Sequence, residues 1–199
     1  MIIHNMEQGS DEWFKARAGK FTASNICKLF MGKSTGGYNN YLNDIVYERL
    51  TGEKEMTFQS NWMDRGVEME AEALEAFELE YFQKVIPCGF IEASPTTGCS
   101  PDGLINDNGM IQVKCLKHTT MISGYLSGKI DRNYEIQMQS EMLFAEREYN
   151  IYFAYHPKLK PIHIVLKWDE SFITAIKAEI ETAEKEVQRR LLKIKDGKQ

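Results

Sequence analysis

Ser100-Pro101-Asp102-Gly103-Leu104 and, a few residues on, Met110-Ile111-Gln112-Val113-Lys114-Cys115 are the segments on which the reading of this chain turns. Between them Asp107-Asn108-Gly109 is a strong hairpin signal, because Asn and Gly tolerate positive φ. Gly103–Ile105 and Met110–Cys115 are therefore predicted as paired strands, with Asp102 at the start of the first. Side chains two apart on a strand share a face, so Gln112 and Lys114 point the same way. A carboxylate, an amide oxygen and an ammonium can then converge at one end of a hairpin. Such a set suits phosphodiester hydrolysis. Mg²⁺ takes a few protein oxygens plus waters and substrate phosphate oxygens, and it activates water and offsets charge on the phosphate. A lysine beside it can orient or deprotonate the attacking water and stabilise the pentavalent state. The plainer alternative makes Asp102 a turn residue, with Gln112 and Lys114 on the solvent side of a strand whose Ile111, Val113 and Cys115 face the core.

Outward from the hairpin, helices and strands alternate. Upstream, Ser10-Asp11 can cap a helix holding Trp13, Phe14 and Ala16, and Thr22 can cap another with Ile26, Leu29 and Phe30 on one face. Gly32–Gly37 reads as a loop, Tyr38–Leu50 as a helix stopped near Gly52, and Met63–Phe82 as a longer helix with the stripe Val67, Leu74, Phe77 and Tyr81. Lys84–Ile91 and Gly98–Ser100 carry strand signals. Downstream, helices fit His118–Ser127 and Arg132–Arg147, strands fit Asn150–Tyr155 and Ile162–Leu166, and Glu170–Ile194 is an amphipathic helix. No repeat or linker interrupts the pattern. The expectation is one α/β (α+β) domain over residues 1–199, with helices flanking a central mixed sheet.

The bulk numbers fit that class. An apolar fraction of 43% is too high for a disordered chain, and no run of apolar residues is long enough to span a bilayer. The opening MIIHNMEQGSDEW does not read as a secretory signal. Cys27, Cys88, Cys99 and Cys115 lack metal or redox spacing, so reduced thiols in a cytosol are expected. A net charge of −5 argues against a general nucleic-acid coat protein but leaves room for a local basic groove beside metal-binding acids.

Ser-Pro-Asp, nine residues, then Gln-x-Lys resembles the signature of the PD-(D/E)XK nucleases, and the spacing resembles their YqaJ-like viral recombinase branch, to which phage lambda exonuclease belongs. Arg65-Gly66-Val67-Glu68-Met69-Glu70-Ala71-Glu72-Ala73 is similar to the branch's helix motif, with Glu70 on its acidic metal-site position. Arg17-Ala18-Gly19-Lys20-Phe21-Thr22-Ala23-Ser24 is similar to its 5′-phosphate-binding segment: Arg17 and Ser24 fall on that pocket, and Ser100 on its second serine. Tyr134-Glu135-Ile136-Gln137-Met138-Gln139 is similar to its Tyr-x-x-Gln-x-Gln helix, with Gln137 near the metal site and Gln139 facing elsewhere.

The resemblance implies a restriction-endonuclease-like core and a 5′→3′ exonuclease acting on double-stranded DNA from a 5′-phosphorylated end. Products would be mononucleotides and a 3′ overhang. Asp102, Glu70, Gln112 and the Val113 carbonyl would hold Mg²⁺, for which Mn²⁺ can substitute. Lys114 would position the attacking water, and Arg17, Ser24 and Ser100 would bind the terminal phosphate. A ring-shaped homotrimer, a single-strand annealing partner and a phage or prophage setting in a bacterial cytoplasm, away from the membrane, are implied in the same way. The departure is Gln112, where the family places a carboxylate. Two origins fit: a natural glutamine, or a glutamate-to-glutamine replacement engineered to trap substrate. Two rival functions follow, a structure- or site-specific endonuclease of the same fold and an inactive protein that binds DNA ends.

Overall fold

The computed structural model describes residues 1–54 and 61–197, and of residues 61–68 only the helical course of the backbone. Strand β1 (Ile2–His4) leads into helix α1 (Asp11–Arg17), strand β2 (Phe21–Thr22) and a 3₁₀ helix (Ala23–Phe30). Helices α2 (Gly36–Thr51) and α3 (Asn61–Tyr81) follow. Next come strands β3 (Phe90–Ser94), β4 (Thr97–Cys99), β5 (Gly103–Ile105) and β6 (Gly109–Cys115). Helices α4 (His118–Ser127) and α5 (Arg132–Ala145), strands β7 (Tyr149–Tyr155) and β8 (Ile162–Lys167), and helix α6 (Glu170–Lys195) complete the order.

The mixed α/β class stands, but the strands divide between two four-stranded mixed sheets, β1-β3-β4-β2 and β5-β6-β7-β8, instead of sharing one. Pro101 sits at the division. It has no N–H to give a ladder, so the chain leaves the first sheet after β4 and enters the second at β5. The strand expected at Lys84–Ile91 shrinks to a single bridge, Ile86 to Leu104, and the true strand begins at Phe90. Pro87 lies between them and has the same effect. Strands β1 and β2, only three and two residues long, carry too little pattern to be seen in the sequence.

Local chemistry explains two further differences. Ser10 caps α1 as expected, its Oγ accepting from Trp13 N at 3.3 Å. Thr22 does not cap: its Oγ1 accepts from the Asn25 side chain, and the segment that follows is a 3₁₀ helix. Ala23, Ile26 and Leu29 are buried at spacings of three, which matches three residues per turn, while Phe30 is 37% exposed. In the hairpin, Ile105 stands opposite Gly109 across a loop of Asn106, Asp107 and Asn108, and Asn106, at φ 49°, takes the left-handed conformation. Gly109 is required for another reason, since a Cβ there would lie 2.1 Å from the Tyr149 ring.

Strand β6 lies inside its sheet, antiparallel to β5 and parallel to β7. Ile111 and Val113 pack with Ala73 and Phe77 of α3 and with Ile151 and Phe153 of β7. The alternate residues of β6, Gln112 among them, turn toward α5. The 3₁₀ helix, α2, α5 and α6 close the other core, around Phe21, Leu42, Ile45, Met142 and Ile176.

Candidate active site

The pairing of Gly103 with Ile111 sets Asp102 beside Gln112. Asp102 Oδ2 accepts from Val113 N at 2.6 Å and from Gln112 Nε2. Gln112 is only 3% exposed, so the solvent-facing alternative for this residue is excluded. Burial, and then the charge of Glu70, push the Asp102 carboxyl well above the usual range, with Lys114 opposing. Burial also raises Glu70, again against Lys114. The Lys114 ammonium lies 5.0 Å from the centre of the Tyr134 ring. Asp102 and Glu70 open on a groove shared with Glu7, Gln8, Leu74 and Cys88. Of the upstream acids in the motif around Glu70, the Glu68 side chain lies outside the described residues.

Two residues that the sequence reading did not single out stand behind Gln112. Gln137 Nε2 donates to Gln112 Oε1 at 2.8 Å and to Glu141 Oε1 at 2.7 Å. Asn150 Nδ2 donates to the other Glu141 oxygen at 2.8 Å. Glu141 is buried, and that burial raises its carboxyl to about 7 despite the two amide donors. Both residues had a signal: Glu141 is four residues after Gln137 and so shares its helix face, and Asn150 is a polar residue inside the apolar run of β7. Gln139 turns away, donating to Lys167 O and accepting from Asp169 N, and its work is to hold α5 against the β8–α6 junction.

The second charged site lies on the far side of Pro101. Gly19, at φ 71°, turns the chain sharply after α1, held by Glu48 Oε2 on its N–H and Arg49 Nε on its carbonyl. That turn brings Ser24 back to Arg17, whose two terminal nitrogens donate to Ser24 Oγ at 3.3 Å and Ser100 Oγ at 2.9 Å. The guanidinium lies 4.0 Å from the Trp13 ring centre, and Trp13 Nε1 also donates to Ser100 Oγ, at 2.9 Å. Arg17 is buried, no carboxylate pairs with it among the described residues, its Nε has no partner, and burial lowers its pKa to about 10. A serine oxygen that accepts twice has only its O–H left to offer. At Ser100 and at the guanidinium, donors are what remains free, an arrangement that suits an anion.

The acid site calls for the opposite sign. Two carboxylates, each raised by burial and opposed by one lysine, are of the type that a hard cation takes as donors. Among the described residues no three His, Cys, Asp or Glu side chains cluster tightly enough to enclose a metal on their own. This suits Mg²⁺, which uses one or two carboxylates and leaves room for water and phosphate. The donor set fits Mg²⁺ or Mn²⁺.

An α/β fold that places an acid–amide–lysine hairpin beside a buried arginine pocket defines the class. The YqaJ-like viral recombinase domain matches residues 12–148, and the chain belongs to that family. The alkaline exonuclease of Laribacter hongkongensis is similar at 29% identity, with 94% of this chain and 97% of that one covered and a TM-score of 0.86. The same protein in complex with dAMP matches at 30% identity, with 95% and 99% covered and a TM-score of 0.86. A phage-related exonuclease of Haemophilus somnus 129PT shares the fold, at 14% identity, 88% and 96% coverage and a TM-score of 0.66. No curated protein matches. No helix among the described residues is long and apolar enough to cross a membrane.

Proposed function

We propose that this chain is a Mg²⁺-dependent exonuclease, with Mn²⁺ able to serve, that degrades one strand of duplex DNA 5′→3′ from a phosphorylated end. The products are mononucleotides and a 3′ overhang. One observation carries this reading: Ser100 and Asp102, separated by Pro101 alone, belong to an anion-accepting pocket and to a cation-accepting acid cluster. A terminal phosphate and the site of hydrolysis are then held within two residues of each other. The similarity to an alkaline exonuclease, also solved with the mononucleotide dAMP, supports it.

In this reading Arg17, Ser24 and Ser100 grip the terminal phosphate by charge-assisted and hydroxyl hydrogen bonds. Asp102, Glu70, Gln112 and the Val113 carbonyl hold the metal, and Lys114 orients the attacking water. The bound metal supplies water activation and charge neutralisation. Gln137 holds the Gln112 amide from behind. A homotrimer around the DNA, an annealing protein that takes up the overhang, and a phage or prophage origin in a bacterial cytoplasm belong to the same proposal. A second reading, a DNA-end-binding protein without activity, draws on the Gln112 amide, whose nitrogen faces Asp102.

The test is digestion of linear duplexes bearing 5′-phosphate or 5′-hydroxyl ends, and of closed circular DNA, with Mg²⁺ or Mn²⁺. Faster loss of the phosphorylated linear duplex, with the circle intact, is the expected result. Cleavage of the circle would make the chain an endonuclease. Binding to ends with no cleavage of any substrate would leave the end-binding role.

A further inference from the structure

Glu141 is a buried carboxylate that the roles above leave unexplained. Taking such a charge out of water is costly unless a cation or strong donors compensate. Among the described residues no lysine, arginine or histidine forms an ion pair with it, and its oxygens rest on two neutral amides, those of Gln137 and Asn150. Two uncharged side chains at 141 and 150 would fill the space without that penalty. The fold keeps the carboxyl nonetheless, with only the more distant charges of Lys114 and Arg17 acting on it.

What lies nearby is the acid site. Both Gln137 Nε2 hydrogens are committed, one to Glu141 Oε1 and one to Gln112 Oε1, and Gln112 in turn donates to Asp102. The bonds form one continuous run from Asn150 through Glu141, Gln137 and Gln112 to Asp102. A negative charge at Glu141 fixes which way the Gln137 amide points, and that fixes the Gln112 amide. Gln112 is also the position at which strand β6 carries an amide where the family resemblance expects a carboxylate. The missing charge and the unexplained charge are linked by a single side chain.

We propose that Glu141 is the displaced carboxylate of this site: a positioning residue on α5 that acts through Gln137 on Gln112 and restores the negative charge that position 112 lacks. The proposal rests on the metal-dependent reading above. Glu141 does not touch the cation. Through Gln137 it fixes the Gln112 amide, whose nitrogen donates to Asp102, and its charge adds to those of Asp102 and Glu70 in holding a divalent ion. On this basis Gln112 marks a relocated charge and a working site.

A charge swap tests it, with Mn²⁺ binding measured by titration calorimetry on the full chain, beside Mg²⁺-dependent digestion. The proteins are the parent, Gln112→Glu, Glu141→Gln and the double variant. Glu141→Gln is expected to weaken Mn²⁺ binding by about tenfold or more, the scale of outer-sphere changes at metal sites. Adding Gln112→Glu to it should restore binding and digestion. Gln112→Glu alone should gain much less than it gains in the Glu141→Gln background, because two carboxylates would then flank Gln137. Unchanged Mn²⁺ affinity in Glu141→Gln, or the same effect of Gln112→Glu in both backgrounds, overturns the proposal and leaves the metal site standing. If the parent binds Mn²⁺ no better than Asp102→Asn, the metal reading itself fails, and this inference with it. Should Glu141→Gln fail to fold, Glu141→Asp takes its place: keeping the charge while shortening the reach, it should bind Mn²⁺ more weakly than the parent, and parental affinity would overturn the proposal.

Discussion

The pocket around Arg17 and the cluster around Asp102 adjoin at Pro101, and burial treats them in opposite ways. In the first, a cation sits against an indole ring and two hydroxyls, with no carboxylate paired to it among the described residues, and its pKa falls to about 10. In the second, Asp102, Glu70 and Glu141 are each raised by burial, and the charge of Lys114 opposes that rise in all three. An ion pair between the two regions would have relieved both. Instead opposite charges act on each only from a distance, Glu48 and Glu141 on Arg17 and Lys114 on Asp102, and burial outweighs them. The contrast teaches that the fold carries two buried regions of opposite sign at a cost to stability, which the proposed phosphate and metal would offset.

The most severe way to break the comparison is Asp102→Asn. Both hydrogen bonds to this side chain end on Oδ2, so an amide oxygen in that place keeps them while the charge disappears. Nuclease rate is expected to fall about a thousandfold, the several kcal/mol that metal-borne charge stabilisation supplies. The thermal midpoint at neutral pH is expected to rise, because a buried charge has been removed. A variant that is both inactive and less stable would mean that Asp102 mainly serves the fold.

Arg17→Gln attacks the other side. Charged hydrogen bonds contribute about 1.5–3 kcal/mol each, so the preference for 5′-phosphate over 5′-hydroxyl ends should shrink by about tenfold to a hundredfold. The ratio of the two rates is the quantity to measure, since a general loss of folded protein cancels in it. A ratio equal to the parent's would assign the guanidinium to packing against Trp13.

The smallest effect sharpens the acid half. Glu141 has its carboxyl at about 7 in the folded chain against an ordinary 4.5. The folded state thus binds this proton more tightly than the unfolded state, and stability falls as pH rises between those values, levelling above about 7. Denaturant titrations at pH 5 and pH 8 should show this fall in the parent and a smaller one in Glu141→Gln. Equal slopes would place the charge of Glu141 in a less buried setting.

Much of the fold was legible because its signals are local. Ser10 before a Trp-Phe pair, the polar turn after Ile105, and the apolar spacing of α6 each depend on neighbours a few residues away. The grouping of Asp102, Gln112 and Lys114 was legible for the same reason, since all three stand on one hairpin. Glu141 and Asn150 escaped because their importance is pairwise. They are 9 residues apart, and only the packing of α5 on β7 makes their side chains meet.

By itself the sequence determined the α/β class and the hairpin, which follow from side-chain periodicity and residue type, and the family, which follows from the order of its motifs. The tertiary structure alone decided that the strands form two sheets, because strand pairing is a long-range contest that Pro87 and Pro101 settle locally by withholding a donor. It also decided that Gln112 is buried and joined through Gln137 to a charged partner, because burial, and with it the energy of a charge, depends on what packs around a residue and not on the residue itself.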